Sequence, residues 1–196
     1  MAGLAAVWLA MLPLGTGEVD RAILFSVYAG NAPRLAAAAK DVTYLGTWPV
    51  MIAVSLIGAA GLLYRRRHWS ALVLLVAAFT GRLMVSAEKT YFARLRPDEH
   101  LRLVKVHELS FPSGHAANSM VVLLGIALLM VDHPAHRRIA VGAALLMTFL
   151  IGLSRAMLGV HWPSDIVAGW SFGAFWLLLV MGIANSWRPA GPPVTR

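Results

Sequence analysis

Two histidines, one carboxylate and several cations recur in this chain at spacings that suit the chemistry of an anion. The most specific is Ser154-Arg155, five residues, His161, three residues, Asp165. A carboxylate four residues beyond a histidine can accept one ring N–H and fix the tautomer, leaving the other nitrogen free as base or nucleophile. The same spacing also makes a plain His–Asp cap at a helix start, so the pair alone does not decide between the two uses. A second segment is Phe111-Pro112-Ser113-Gly114-His115, at the head of an apolar run. A helix N-terminus offers free backbone N–H groups and the positive end of a dipole to a phosphate. Gly114 lets an anion come close to the backbone, and Ser113 can cap the helix or donate to an anion oxygen. The third is Lys89, six residues, then Arg96-Pro97. It supplies two cations near a helix end, although basic residues at such ends more often only anchor a helix in the membrane interface.

The elements that must position these residues are membrane helices. Of the 196 residues 59% are hydrophobic and 13% charged, against about 25% charged in a soluble domain. Apolar runs cover 45–63, 69–87, 114–131, 139–158 and 166–184, each long enough to cross a core of about 30 Å. A shorter run at 2–14 has the length of a signal-peptide core, but no basic residue precedes it and no A-x-A site follows, so it reads as a first span. Segment 15–43 is interrupted by Asp20, Arg21, Asn31, Pro33, Arg34, Lys40 and Asp41, and reads as an interfacial helix followed by a return to the bilayer. The expectation is an all-α polytopic membrane protein, a six-transmembrane-helix bundle with a short interfacial helix after the first span. It forms one domain over 1–188, followed by a disordered tail at 189–196 that holds three prolines and a glycine.

With six spans, Arg65–Arg67, Arg137, Arg138 and Arg188 fall on one side, which the positive-inside rule makes cytoplasmic. All three motifs then meet at the opposite face. Trp48, Trp69, Trp162 and Trp187 fall at span ends, as interfacial tryptophans do. The net charge of +8 is accounted for by span flanks and an anion site. No basic–aromatic strip suggests nucleic acid. The absence of cysteine removes disulfides and thiolate chemistry. His68, His100, His107, His133 and His136 lack ligand spacing and read as loop residues. Gly125, Gly142, Gly152, Gly169 and Gly173 read as helix-packing positions. Arg82 lies inside a span, either bracing the anion site or holding a structural partner.

The segments KTYFARLRP, FPSGH and SRAMLGVHWPSD resemble the three signature motifs of the type 2 phosphatidic acid phosphatases. That superfamily also includes glucose-6-phosphatases, undecaprenyl-diphosphate phosphatases and soluble vanadium haloperoxidases; the spans argue against the last. The resemblance implies His161 as nucleophile of a phosphohistidine intermediate, Asp165 as its orienting partner and His115 as general acid. It implies Lys89, Arg96, Ser113, Gly114 and Arg155 as holders of the phosphate oxygens, with no metal and no cofactor. The positives of the outer loop would then form an anion funnel. The expected activity is hydrolysis of a membrane lipid phosphate or diphosphate at the bacterial inner membrane, with the site facing the extracytoplasmic side. The stretch RPDEHLRLVKVHELSFPSGHA puts undecaprenyl diphosphate first, and phosphatidic acid or phosphatidylglycerol phosphate next. A lipid phosphotransferase and a non-catalytic lipid-binding or transport protein of the same fold are the other readings.

Overall fold

A computed structural model of the protein describes residues 1–14 and 16–187; the expected tail at 189–196 lies outside the described residues. The described residues are all helix and loop, with no strand, as expected. Eight helices follow in order: α1 Ala2–Leu14, α2 Glu18–Val27, α3 Pro33–Leu45, α4 Trp48–Tyr64, α5 His68–Phe92, α6 Gly114–Met130, α7 Pro134–Met157 and α8 Pro163–Ser186. Their starts follow local chemistry. Proline occupies the first turn of α3, α4, α7 and α8, where its missing N–H costs nothing. Helix α5 ends where Ala93 turns left-handed at φ 47°. Helix α6 carries one π turn, Met120–Leu124.

Helices α5, α7 and α8 are each long and apolar enough to cross a membrane, and α6 is a shorter apolar helix. Two bent pairs pass the same test jointly: α1 with α2, bent by 98°, and α3 with α4, bent by 47°. The segment expected to hold one interfacial helix thus contains two, α2 and α3, each too short to span by itself. Between them Ala29, fully buried, ties its N–H to the carbonyl of Met157 at 2.9 Å.

The central core joins α4, α5, α6 and α8 through Met51, Ala77, Ala78, Val121, Val122 and Leu177. Gly169 and Gly173, four apart on α8, bring it against the backbone of α6. Of the glycines expected to pack helices, Gly125 and Gly152 also meet neighbours, whereas Gly142 has no atom within 4 Å of where a Cβ would stand. At one end of the bundle Asp132 pairs with Arg65 at 2.8 Å and Arg67 at 2.7 Å, joining the loop after α4 to the loop after α6. The three motifs gather at the other end of α5, which at 1.5 Å per residue lies about 35 Å away.

Candidate active site

A cavity of about 360 Å³ opens at that end. Lys89 reaches it from the last turns of α5, Arg96 and Glu108 from the long loop, Gly114 and His115 from the first turn of α6, Arg155 from the end of α7, and His161 from the turn before α8. Ser113 and Asp165 stand behind this wall, both fully buried. All eight residues singled out in the sequence therefore belong to one region, six of them on the cavity surface.

His161 is the centre of the geometry. It is 1% exposed, and its Nε2 lies 3.0 Å from Nη1 of Arg96. A guanidinium only donates. Nε2 must therefore hold a lone pair, which puts the ring proton on Nδ1. Nδ1 faces Ser110 Oγ at 3.4 Å and Asp165 Oδ2 at 3.5 Å. Burial, and then the positive charges of Arg96, Lys89 and Arg155, push the imidazole well below its ordinary pKa. The ring is thus a neutral base whose one lone pair, on Nε2, is shared with Arg96 on the cavity wall. Arg96 is itself held by the carbonyls of Glu108, Val160 and Leu109 at 2.5, 2.5 and 3.3 Å. Burial lowers its pKa to about 10, which leaves it charged at neutral pH.

Asp165 does not bond to His161 alone. Its Oδ2 accepts from Ser110 Oγ at 2.5 Å and from the Trp162 N–H at 3.0 Å, and its Oδ1 accepts from Arg94 at 2.8 Å. Arg94 also donates to Ser164 Oγ at 3.1 Å and to the carbonyls of Met11 and Leu12 at 3.0 and 2.7 Å. Asp20 accepts from the N–H and hydroxyl of Ser164 at 2.9 and 2.5 Å.

The remaining cations make their short hydrogen bonds to neutral groups, and the Glu108 carboxylate lies 3.8 Å from Lys89. Lys89 donates to the carbonyl of Leu109 at 2.5 Å, and Arg155 to Thr43 Oγ1 at 2.8 Å. Arg155 Nε, His115 Nε2 and Ser113 Oγ are buried polar atoms with no protein partner among the described residues. A buried polar atom left unpaired costs about 1–3 kcal/mol, and an anion in the cavity would satisfy Arg155 and His115, which line it. Gly46, at the α3–α4 bend, leaves room for the His115 ring, since a Cβ there would lie 3.0 Å from its Cδ2.

Three expectations change. Arg94 is no part of an anion funnel, because its charge is matched by Asp165. His107 is a loop residue as expected, and it lines the cavity together with Lys105. Trp162 is no interfacial anchor, because it is buried and donates to the carbonyl of Leu95 at 3.0 Å. Ser113 makes no side-chain cap, and its hydroxyl lies off the cavity wall. Sequence reasoning also missed Ser110, Glu108 and Asp20. Only Arg94 had a signal: in an extended segment residues two apart point the same way, so Arg94 follows Arg96 inward.

Residues 70–189 match the PAP2 superfamily. Phosphatidylglycerophosphatase B of Bacillus subtilis (strain 168) is 32% identical, over 84% of this chain and 83% of its own. An undecaprenyl-diphosphatase of Sulfolobus acidocaldarius is 28% identical over 64% of this chain and 60% of its own. A crystal structure of the PAP2 type phosphatidylglycerolphosphate phosphatase from Bacillus subtilis superimposes with a TM-score of 0.86, 29% identity, and coverage of 95% of this chain and 96% of that one.

Proposed function

The chain belongs to the PAP2 superfamily, and from that premise we propose that it is an integral-membrane lipid phosphatase working through a phosphohistidine on His161. The observation that carries this reading is the buried, neutral His161, with Nε2 turned to Arg96 and Nδ1 to Ser110 and Asp165. In the first step the substrate's phosphate oxygens take over the Arg96 Nη1–H that Nε2 otherwise holds. The freed Nε2 lone pair attacks phosphorus and the bond to the lipid oxygen breaks. His115 gives that oxygen its proton. In the second, water attacks the phosphohistidine while His115 takes the water proton, and phosphate leaves with the N–P bond electrons returning to Nε2. Lys89, Arg96, Arg155 and the N–H groups at Gly114 neutralise the equatorial oxygens, which is the main demand of phosphoryl transfer. Ser113 supports the start of α6 from behind.

The cavity lies at the end of the bundle away from Arg65 and Arg67, and the positive-inside rule supports an extracytoplasmic site; the proposed location is the bacterial inner membrane. The expected six crossings follow if α1 and α6 each cross and the bent α3–α4 pair counts once. Undecaprenyl diphosphate and phosphatidylglycerol phosphate are both proposed as substrates, one from the long-loop sequence and the other from the likeness over most of the chain. The test is phosphate release by purified protein from these two lipids and from phosphatidic acid. His161→Ala, checked for folding in detergent, should lose at least about 10³-fold in turnover. Turnover near the parent level in that variant would overturn the nucleophile.

A further inference from the structure

Arg82 takes no part in the transfer just proposed. It lies within α5, seven residues before Lys89, so it shares nearly the same helix face and its Cα is about 10 Å deeper toward the bilayer centre, with the side chain reaching back to Glu108. Its side chain lines the same cavity as Lys89, His115 and His161. The guanidinium carbon is 5.5 Å from the centroid of the Trp48 ring. Its ion-pair partner is Glu108, at 3.4 Å, whose side chain is 57% exposed. An arginine inside a span is expensive and needs a strong partner, and one long contact to a solvated carboxylate contributes little. The other oxygen of Glu108 lies 3.8 Å from Lys89 Nζ. One carboxylate thus touches both cations, so an anion at Arg82 and an anion at Lys89 are neighbours.

We infer that Arg82, backed by Trp48, forms a second phosphate subsite, which takes a phosphorus group of the lipid that is not transferred. The inference rests on the phosphatase reading and names the substrate class of that site. Depth decides the direction. The transferred phosphate sits at His161, and the lipid tail must run from there to the bilayer. Whatever joins the two passes the Arg82 side chain, which rises into the cavity from a Cα deeper than that of Lys89. In a lipid diphosphate that group is the phosphate bonded to the lipid. In a lipid phosphodiester with a terminal phosphate, it is the diester. Phosphatidic acid has no anion at that position. Glu108 fills the subsite until the substrate displaces it.

The test compares kcat/KM for a prenyl diphosphate and for phosphatidylglycerol phosphate, each divided by that for phosphatidic acid, in the parent and in Arg82→Gln. A charge-assisted contact of this kind supports an effect of about 10- to 100-fold, so at least one ratio should fall by that factor. The ratio that falls identifies which second phosphorus group the subsite takes. Both ratios unchanged, with losses equal on all three lipids, would overturn the subsite while leaving the phosphatase reading intact. No phosphate release by the parent from any of them would overturn the reading itself. If Arg82→Gln does not fold, the parent decides: methylenediphosphonate should inhibit phosphatidic acid hydrolysis about tenfold better than inorganic phosphate, and equal inhibition would refute the subsite.

Discussion

Adding one methyl group at Gly169 should damage catalysis from behind the site. A Cβ there would stand 2.6 Å from the carbonyl oxygen of Ser113 and 2.9 Å from the Cβ of Ala116. Both are backbone or backbone-bound atoms of α6, so no side chain can swing away. Ordinary contact begins near 3.4 Å, so α6 and α8 must part by about 0.8 Å, the difference between those two distances. The carbonyl that moves belongs to the residue before Gly114 and His115. Displacements of about 1 Å in a reacting group cost about 10²-fold in rate, and overpacking a close interface costs about 1–3 kcal/mol. Gly169→Ala should therefore lose about 10- to 100-fold in kcat/KM and unfold at a lower temperature. Gly142→Ala and Gly182→Ala, with nothing within 4 Å, are the controls; they should be neutral or gain up to about 1 kcal/mol from helix propensity. The assay is phosphate release per folded enzyme, with thermal unfolding in detergent measured on the same preparations. Full turnover by folded Gly169→Ala would refute the claim that this contact aligns the head of α6.

Three further outcomes follow from the same geometry. Arg94→Met should leave buried Asp165 without its cation and cost about 3–5 kcal/mol; a variant as stable as the parent in detergent would show that Ser110 and the Trp162 N–H suffice. His161 titrates well below its ordinary value of 6.5, so the acid limb of kcat/KM should lie well under pH 6.5; the unfolded chain takes that proton first, so stability holds above pH 6.5 and falls as pH drops below it, by up to about 1.4 kcal/mol per unit, and an acid limb at or above 6.5 would contradict this. Single cysteines at His100 and Arg66, in a chain with no native cysteine, should label from opposite sides of the membrane, and labelling from one side would overturn the outward-facing site.

The helices were legible because apolar length is a signal that needs no partner: α5, α7 and α8 follow the runs at 69–87, 139–158 and 166–184 closely. What stayed hidden was anything decided by tertiary partners. Asn31 and Pro33 mark a break in segment 15–43, but that the Ala29 N–H docks on Met157 there, a partner 128 positions away in the chain, leaves no local trace. The site residues were legible for a related reason. Lys89, His115, Arg155 and His161 lie at helix ends, where spacing along the chain converts directly into position. Ser110 and Glu108 come from the long loop, where spacing does not fix direction. Arg94 was visible as a charge but not as a partner, since only the fold tells a cation that meets Asp165 from one that meets an anion.

Asp165 shows why these two kinds of residue cannot be separated. At 3.5 Å from Nδ1 of His161, its carboxylate is close enough to favour the Nδ1–H tautomer electrostatically, yet too far for a strong hydrogen bond. Its short contacts go elsewhere: to Ser110 on the long loop, to Arg94 on the approach to Arg96, and to the backbone of Trp162. Its own carbonyl accepts the Ser113 N–H at 2.9 Å, which fixes the head of α6 to the head of α8. Arg94 extends the same set to the end of α1. Asp165, through its carboxylate and its own carbonyl, thus ties the turn that carries His161 to the head of α6 that carries His115. Burying that charge is costly, and its contacts tie together the long loop, the approach to Arg96 and the turn that carries His161. On the proposed reading, Asp165 therefore serves alignment as much as it polarises His161.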